Sequence, residues 1–164
     1  MNTEFRKANV REELRSLMIF DRKVFPRSDV FSAGQWRNCK PYWLLIQGRK
    51  AGCCAFEEHV DLTDDQTEDQ PPSPAVGTLS IATTGILPAY RGKGLGSLMK
   101  AWQIAYAKHQ GFNRIVTNMR ESNLAMRRLN ERYGFQPLRV TEHYYADPDE
   151  PTVVMELCLP AQRA

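Results

Sequence analysis

Apolar residues recur at helical spacing through Leu14, Leu17 and Met18 and, past Asp21, through Val24 and Phe25, which predicts an amphipathic helix that Pro26 ends. Asn9, with Glu12 three positions on, marks its start, because a short polar side chain can accept the unpaired amides of the first turn. Residues 3–8 before it read as a short strand. Residues 42–47 and 51–60 read as two strands joined by a turn at Gly48 and Arg49, an antiparallel hairpin with Cys53, Cys54 and Phe56 as core candidates. Strand character resumes over residues 77–87. A helix follows over 97–110, with Leu98, Trp102, Ala105 and Tyr106 on one face and Gly111 as its stop. A strand at 114–117, a helix at 124–133 ended by Gly134, and strands at 138–144 and 152–159 complete the order.

The stretch between the third and fourth strands breaks this periodicity. Residues 61–76 carry Asp61, Asp64, Asp65, Glu68, Asp69, Pro71, Pro72 and Pro74, the composition of a solvated acidic, proline-rich loop. At 164 residues and 42% apolar side chains the chain closes one core, so a single domain over 1–164 is expected. The net charge of +3 comes from scattered cations, not from the basic stripe of a nucleic-acid binder. No apolar run approaches a membrane span, and Glu4 and Arg6 interrupt any signal peptide, so a cytoplasmic protein is expected. Cysteines 39, 53, 54 and 158 match neither a disulfide framework nor a zinc site, and reduced, mostly buried thiols with no metal are expected. A monomer and a homodimer fit the sequence equally.

Candidate chemistry concentrates in residues 86–97, where a strand runs into a glycine-rich turn and then a helix. Glycines let the backbone approach a ligand closely, and the unpaired amides at the helix start, with its positive dipole end, favour a pyrophosphate. A P-loop would need Ser or Thr after its Gly-Lys pair, but Lys93 precedes Gly94. A dinucleotide fingerprint would need Gly-x-Gly-x-x-Gly, but Gly92, Gly94 and Gly96 are evenly spaced and Met99 holds the third place counted from Gly94.

Arg91, Gly94 and Gly96 instead resemble the acyl-CoA signature, Arg/Gln-x-x-Gly-x-Gly/Ala, of the GNAT superfamily of N-acetyltransferases. Arg120, Ser122, Asn123, Met126, Leu129, Gly134 and Phe135 match the spacing of that family's downstream motif. The resemblance implies an α/β (α+β) acyltransferase fold: a mixed, mostly antiparallel twisted sheet, splayed between its fourth and fifth strands and flanked by helices. It implies acetyl-CoA as cosubstrate, with Thr84, Gly85 and Ile86 along the pantetheine arm and Arg91, Gly92, Lys93, Gly94, Leu95, Gly96 and Ser97 around the pyrophosphate. Asn123 is the family's asparagine near the cofactor. Gly85, a glycine within a strand, suits a bulge or a close backbone approach.

Two positions depart from the family. The tyrosine that protonates the leaving thiolate in many relatives is Asn130 here, a candidate to bond the thioester sulfur or an ordered water. Tyr133 falls on the apolar side with Met126 and Leu129. Enzymes acting on protein N-termini are nearest in pattern, through Phe25 and Pro26 and through Tyr144, Tyr145, Ala146 and Asp147, which makes Phe25 and Tyr145 candidate acceptor contacts. Their base position holds Asn118, which takes up no proton at neutral pH. Glu57, Glu58 and His59 are either a water-mediated base, with Glu58 as the candidate, or surface residues leading into the acidic loop; His143 is either an acceptor-pocket residue or half-buried packing. An α-amine, about one-tenth neutral at pH 7, needs less help than a lysine, less than about one-thousandth neutral. The expected activity is acetyl transfer to a primary amine of a peptide or a small molecule. A non-catalytic acyl-CoA-binding module is the alternative.

Overall fold

A computed structural model describes residues 2–60 and 77–160, and for Glu58, His59 and Val60 the backbone only. The expected acidic loop lies outside the described residues. β1 (Thr3–Lys7) leads into α1 (Val10–Val24), whose first turn is capped as the spacing predicts: the Asn9 side chain accepts from the Glu12 amide at 3.2 Å. The carboxylate that reaches back to the Asn9 amide is that of Glu13, at 2.8 Å, and not that of Glu12. Pro26 ends the helix, and a 3-10 turn (Arg27–Asp29) and a short α2 (Ala33–Arg37) follow. Ser32 and Gln35 cap α2 reciprocally.

β2 (Lys40–Ile46), β3 (Arg49–Val60) and β4 (Gly77–Ile86) form an antiparallel meander, and α3 (Leu95–His109) returns the chain to β5 (Arg114–Arg120), parallel to β4. α4 (Leu124–Arg132) precedes the antiparallel pair β6 (Gln136–Tyr145) and β7 (Glu150–Cys158). The seven strands lie in the order β1-β2-β3-β4-β5-β7-β6. The expected mixed, mostly antiparallel sheet flanked by helices is what forms.

Alternation along the strands divides the core between the two faces of the sheet. Leu44, Cys54, Phe56, Leu79, Ile115 and Met155 join Met99 of α3 and Phe135 on one side. Trp43, Cys53 and Ala55 join Leu17 and Phe20 of α1 and Trp36 of α2 on the other. Burying each large apolar side chain contributes about 1.5–3 kcal/mol, so both helical layers are tied firmly to the sheet. Three of the four thiols are buried, and Cys158 is exposed.

The helix at 97–110 begins two residues early, at Leu95, and presents a different face from the one its apolar spacing predicts. Leu98 is 36% exposed and Ala105 is exposed, while Leu95, Met99, Lys100, Gln103 and Ala107 are buried. Aromatic packing accounts for the rotation. Trp102 stacks on Phe5 at 4.3 Å and Tyr106 on Phe56 at 4.5 Å, toward the β1 edge, so the positions next to them on the helix roll to the centre of the sheet.

Candidate active site

β4 and β5 pair only from Thr78↔Arg114 to Ile81↔Thr117. Beyond that point β4 remains bonded to β3 and β5 to β7, so the sheet opens into a wedge between Ala82–Ile86 and Asn118–Arg120. The same end of β4 leads through the 3-10 turn Pro88–Tyr90 into the glycine-rich turn. The sequence-predicted residues Thr84, Gly85 and Ile86 therefore line one wall of the wedge, and residues 91–97 sit at its end.

Gly92 and Gly94 both have φ of +77°, a left-handed backbone that favours glycine, and an added Cβ at either would meet nothing within 4 Å. They face open space, as a cradle for a ligand requires. Gly94 is the N-cap of α3, and its carbonyl takes the Leu98 amide at 3.1 Å, which leaves the amides of Leu95, Gly96 and Ser97 as the free donors of the first turn. Arg91 is committed to the turn itself: its Nε donates to the Ile86 carbonyl at 3.0 Å. Lys93 lies 5.6 Å over the Tyr90 ring and is exposed. Gly96 is the contact with α4, where an added Cβ would come within 3.5 Å of Leu129.

Gly85 is glycine because α1 descends onto the strand. A Cβ there would lie 2.6 Å from Val24 Cγ1 and 3.4 Å from the rings of Phe20 and Phe25. Phe25 is thereby held against the wedge from the side opposite α3. Also on that side, beyond the splay, Asn118 donates from Nδ2 to the Tyr145 hydroxyl at 3.3 Å and to Thr152 Oγ1 at 3.1 Å. Burial raises the Tyr145 pKa above its usual value, with the Thr152 hydroxyl bond opposing it. Three sequence-predicted residues, Phe25, Asn118 and Tyr145, thus belong to one face of the sheet.

The others are elsewhere. Asn130 is fully buried on the α4 face, its Nδ2 against the sulfurs of Met119 at 3.7 Å and Met155 at 3.8 Å, and its Oδ1 has no partner. Asn123 caps α4, its Oδ1 accepting from the Met126 amide at 3.2 Å. Tyr133 packs against the core, as its spacing predicts, and its hydroxyl donates to the Ser97 carbonyl at 3.1 Å. The Glu58 backbone is opposite Leu79, in the closed part of the sheet. At about 3.3 Å per residue that position is about 17 Å along the strand from Thr84. The side chains of Glu58 and His59 lie outside the described residues. His143 is exposed and paired with Asp149, not half-buried.

The motif gave Arg120, but neither motif nor periodicity revealed the partners that it gathers at the rim of this face. Arg120, at the end of β5, forks onto the Asp29 carboxylate with two bonds of 2.8 Å and reaches Glu150 at 3.0 Å and the carbonyls of Ala146 and Pro148. Its guanidinium lies 4.5 Å over the Tyr145 ring. Ser28 Oγ also donates to the Ala146 carbonyl, at 2.8 Å. These bonds tie the turn after α1 to the tip of the β6–β7 hairpin. Asp21, 1% exposed, anchors the far end of that turn by accepting the Phe31 amide at 2.6 Å. Burial pushes its carboxyl up to about 6, against the pull of that bond. The one available signal was an acid at a core position of α1, four residues after Leu17.

The Acetyltransferase (GNAT) family model matches residues 9–135. The [ribosomal protein bS18]-alanine N-acetyltransferase of Haemophilus influenzae is 38% identical over 73 residues, 43% of this chain and 49% of that protein. A putative enzyme of the same name from Bacillus subtilis is 29% identical over 75 residues, 46% of this chain and 50% of that protein. The matches thus span about half the length of these curated relatives. Among solved structures, Arabidopsis thaliana NAA60 in complex with a bisubstrate analogue superposes with a TM-score of 0.80 at 13% identity, covering 98% of this chain and 100% of that one. The ribosomal-protein-S18-alanine N-acetyltransferase from Escherichia coli gives 0.76 at 16% identity, covering 99% and 97%.

Proposed function

The chain belongs to the acetyltransferase (GNAT) family, and from that premise we propose that it moves the acetyl group of acetyl-CoA onto a primary amine, the α-amine of a peptide in preference to a lysine. One observation carries the reading: the strands part beside a glycine turn whose two left-handed residues face open space. Such a site suits a long thioester with an anionic head. The head would lie on the amides of Leu95, Gly96 and Ser97, and the arm would run along Thr84, Gly85 and Ile86. Acetyl-CoA supplies the activated carbonyl. The chain supplies placement, since holding amine and thioester together in a dry wedge is worth up to about 7–11 kcal/mol of barrier.

The acceptor enters from the Phe25, Asn118 and Tyr145 side. Neither Asn118 nor Asn130 exchanges a proton at neutral pH, so the amine must arrive largely able to lose its own. An α-amine meets that condition better than a lysine by roughly 3 kcal/mol. The names of the sequence relatives, alanine N-acetyltransferases, agree with a peptide N-terminus as acceptor.

The test is CoA release from acetyl-CoA with peptides that begin with alanine, with the same peptides blocked at the α-amine but carrying lysine, and with small amines. Turnover confined to the free α-amine is expected. Tight acetyl-CoA binding without turnover on any acceptor would replace the transferase with the acyl-CoA-binding module.

A further inference from the structure

Lys100 is 1% exposed in the middle of α3, and its Nζ finds no hydrogen-bond partner. An isolated ammonium in such a place costs several kcal/mol, and Met or Leu would fill the space without that cost. The amine therefore calls for an anion that the chain itself does not supply.

Its position is fixed by its neighbours. Nζ lies 5.1 Å from the centre of the Phe135 ring, which follows α4. On the other side, the titratable group that acts on it is the Cys54 thiol, itself pushed by burial up to about 12 and so neutral. Cys54 is opposite Thr84, on the splayed part of β4. One turn along α3, Gln103 donates from Nε2 to Thr84 Oγ1 at 2.9 Å, and its Oε1 is also without a partner. A buried donor and a buried acceptor thus stand unpaired over the wedge wall where the thioester end of the pantetheine arm would lie.

We propose that the Lys100 ammonium receives the charge of the departing CoA thiolate and holds it as an ion pair, the task that Asn130 leaves unfilled. The inference rests on the acetyl-CoA reading above. As the tetrahedral intermediate collapses, the C–S bond breaks and its electron pair goes to sulfur. The thiolate leaves paired with the Nζ ammonium and takes up a proton from water as CoA departs. The proton shed by the attacking nitrogen goes to solvent, and Lys100 keeps its own. Burial lowers its pKa to about 8, so at neutral pH it still carries the charge that the thiolate needs.

The experiment follows the thiol itself, apart from turnover. CoA bound to the wild-type protein is titrated by thiolate absorbance, and the affinities of CoA and desulfo-CoA are compared by calorimetry between pH 7 and 9. A thiol beside a cation should lose its proton at a pH at least about 1 below that of free CoA, and CoA should bind more tightly than desulfo-CoA as the pH rises. In Lys100→Met both differences should vanish, and kcat should fall about a hundredfold with the KM for acetyl-CoA unchanged. A bound thiol that titrates like free CoA, with both ligands bound alike, overturns the role of Lys100 and leaves only buried water as its partner. Failure of either ligand to bind the wild-type protein would instead overturn the acetyl-CoA reading. The titration of the wild-type protein decides the matter even if the variant folds poorly.

Discussion

The two sides of the wedge are held by different kinds of bond. On the side proposed to hold the cofactor the main chain makes the cradle, with two left-handed glycines and the free amides of α3, and the Arg91 side chain clips the turn to a carbonyl five residues back. On the side proposed for the acceptor the side chains do the holding, through Arg120 bonded to Asp29 across 91 residues of sequence and Ser28 bonded to Ala146 across 118. A cradle made of backbone needs a contiguous run of permissive residues and leaves a motif. A rim made of distant ion pairs leaves only charges that look like any other surface charges.

The two sides should therefore fail differently. Gly94→Val should have the largest effect, because a β-branched side chain at φ of +77° is strained by about 1–2 kcal/mol and projects into the cradle. Acetyl-CoA at a hundred times its dissociation constant should stabilise the wild-type protein by about 2.7 kcal/mol, roughly 5–10 °C in melting temperature. The variant should lose that shift and nearly all turnover while keeping its fold. A preserved shift would remove Gly94 from the cradle.

Arg120→Ala should give the converse. The Asp29 and Glu150 carboxylates lose their shared partner, the turn after α1 loosens from the hairpin, and the melting temperature should fall by about 5 °C. The acetyl-CoA shift should survive, and the KM for the acceptor peptide should rise about tenfold. Arg120→Lys should lie between, since an ammonium keeps the charge and loses the two-pronged grip. Equal damage to both substrates would dissolve the contrast between the two sides.

The same contrast explains what was legible in the sequence. The element order and the glycine turn follow from periodicity and a contiguous motif, and the splay from the family resemblance that the motif carries. α2 escaped because it is only five residues long, although Ser32 and Gln35 have the spacing of a capping box. The spacing of Leu98, Trp102, Ala105 and Tyr106 suggests one apolar face for α3, but Trp102 and Tyr106 find aromatic partners far away in sequence, and that packing buries Lys100 and Gln103 and leaves Leu98 and Ala105 exposed. Arg120 was visible as one position of the motif, but its partners were not, because nothing local pairs residue 120 with residue 29. In the sequence Asp21 is a gap in the apolar stripe of α1, whereas in the fold it is the buried anchor of the turn that follows the helix.

Asp21 offers a smaller effect, on the acceptor side alone. Its carboxyl titrates at about 6 in the folded chain against 3.8 ordinarily, so between those values the folded state holds more protons than the unfolded one. The contribution of this group to stability therefore falls as pH rises from about 4 to about 6, and ionised Asp21 is a net cost at neutral pH. Asn at this position can still accept the Phe31 amide through its carbonyl oxygen. Asp21→Asn should flatten the melting temperature across that window and raise it by a few degrees at pH 7. A slope identical to that of the wild-type protein would assign the titration to another group.

The smallest effect should come from Asn130, which stands where many relatives carry their acid. Its amide lies between two methionine sulfurs, and its unpaired Oδ1 leaves a buried polar atom that costs about 1–3 kcal/mol. Leu has the same branch at Cγ and needs no partner. Asn130→Leu should hold or slightly raise the melting temperature and leave kcat within about twofold of the wild-type value. A loss of tenfold or more at an unchanged acetyl-CoA shift would mean that α4 still reaches the sulfur through this side chain, and the division of labour that gives thiolate stabilisation to α3 would be wrong.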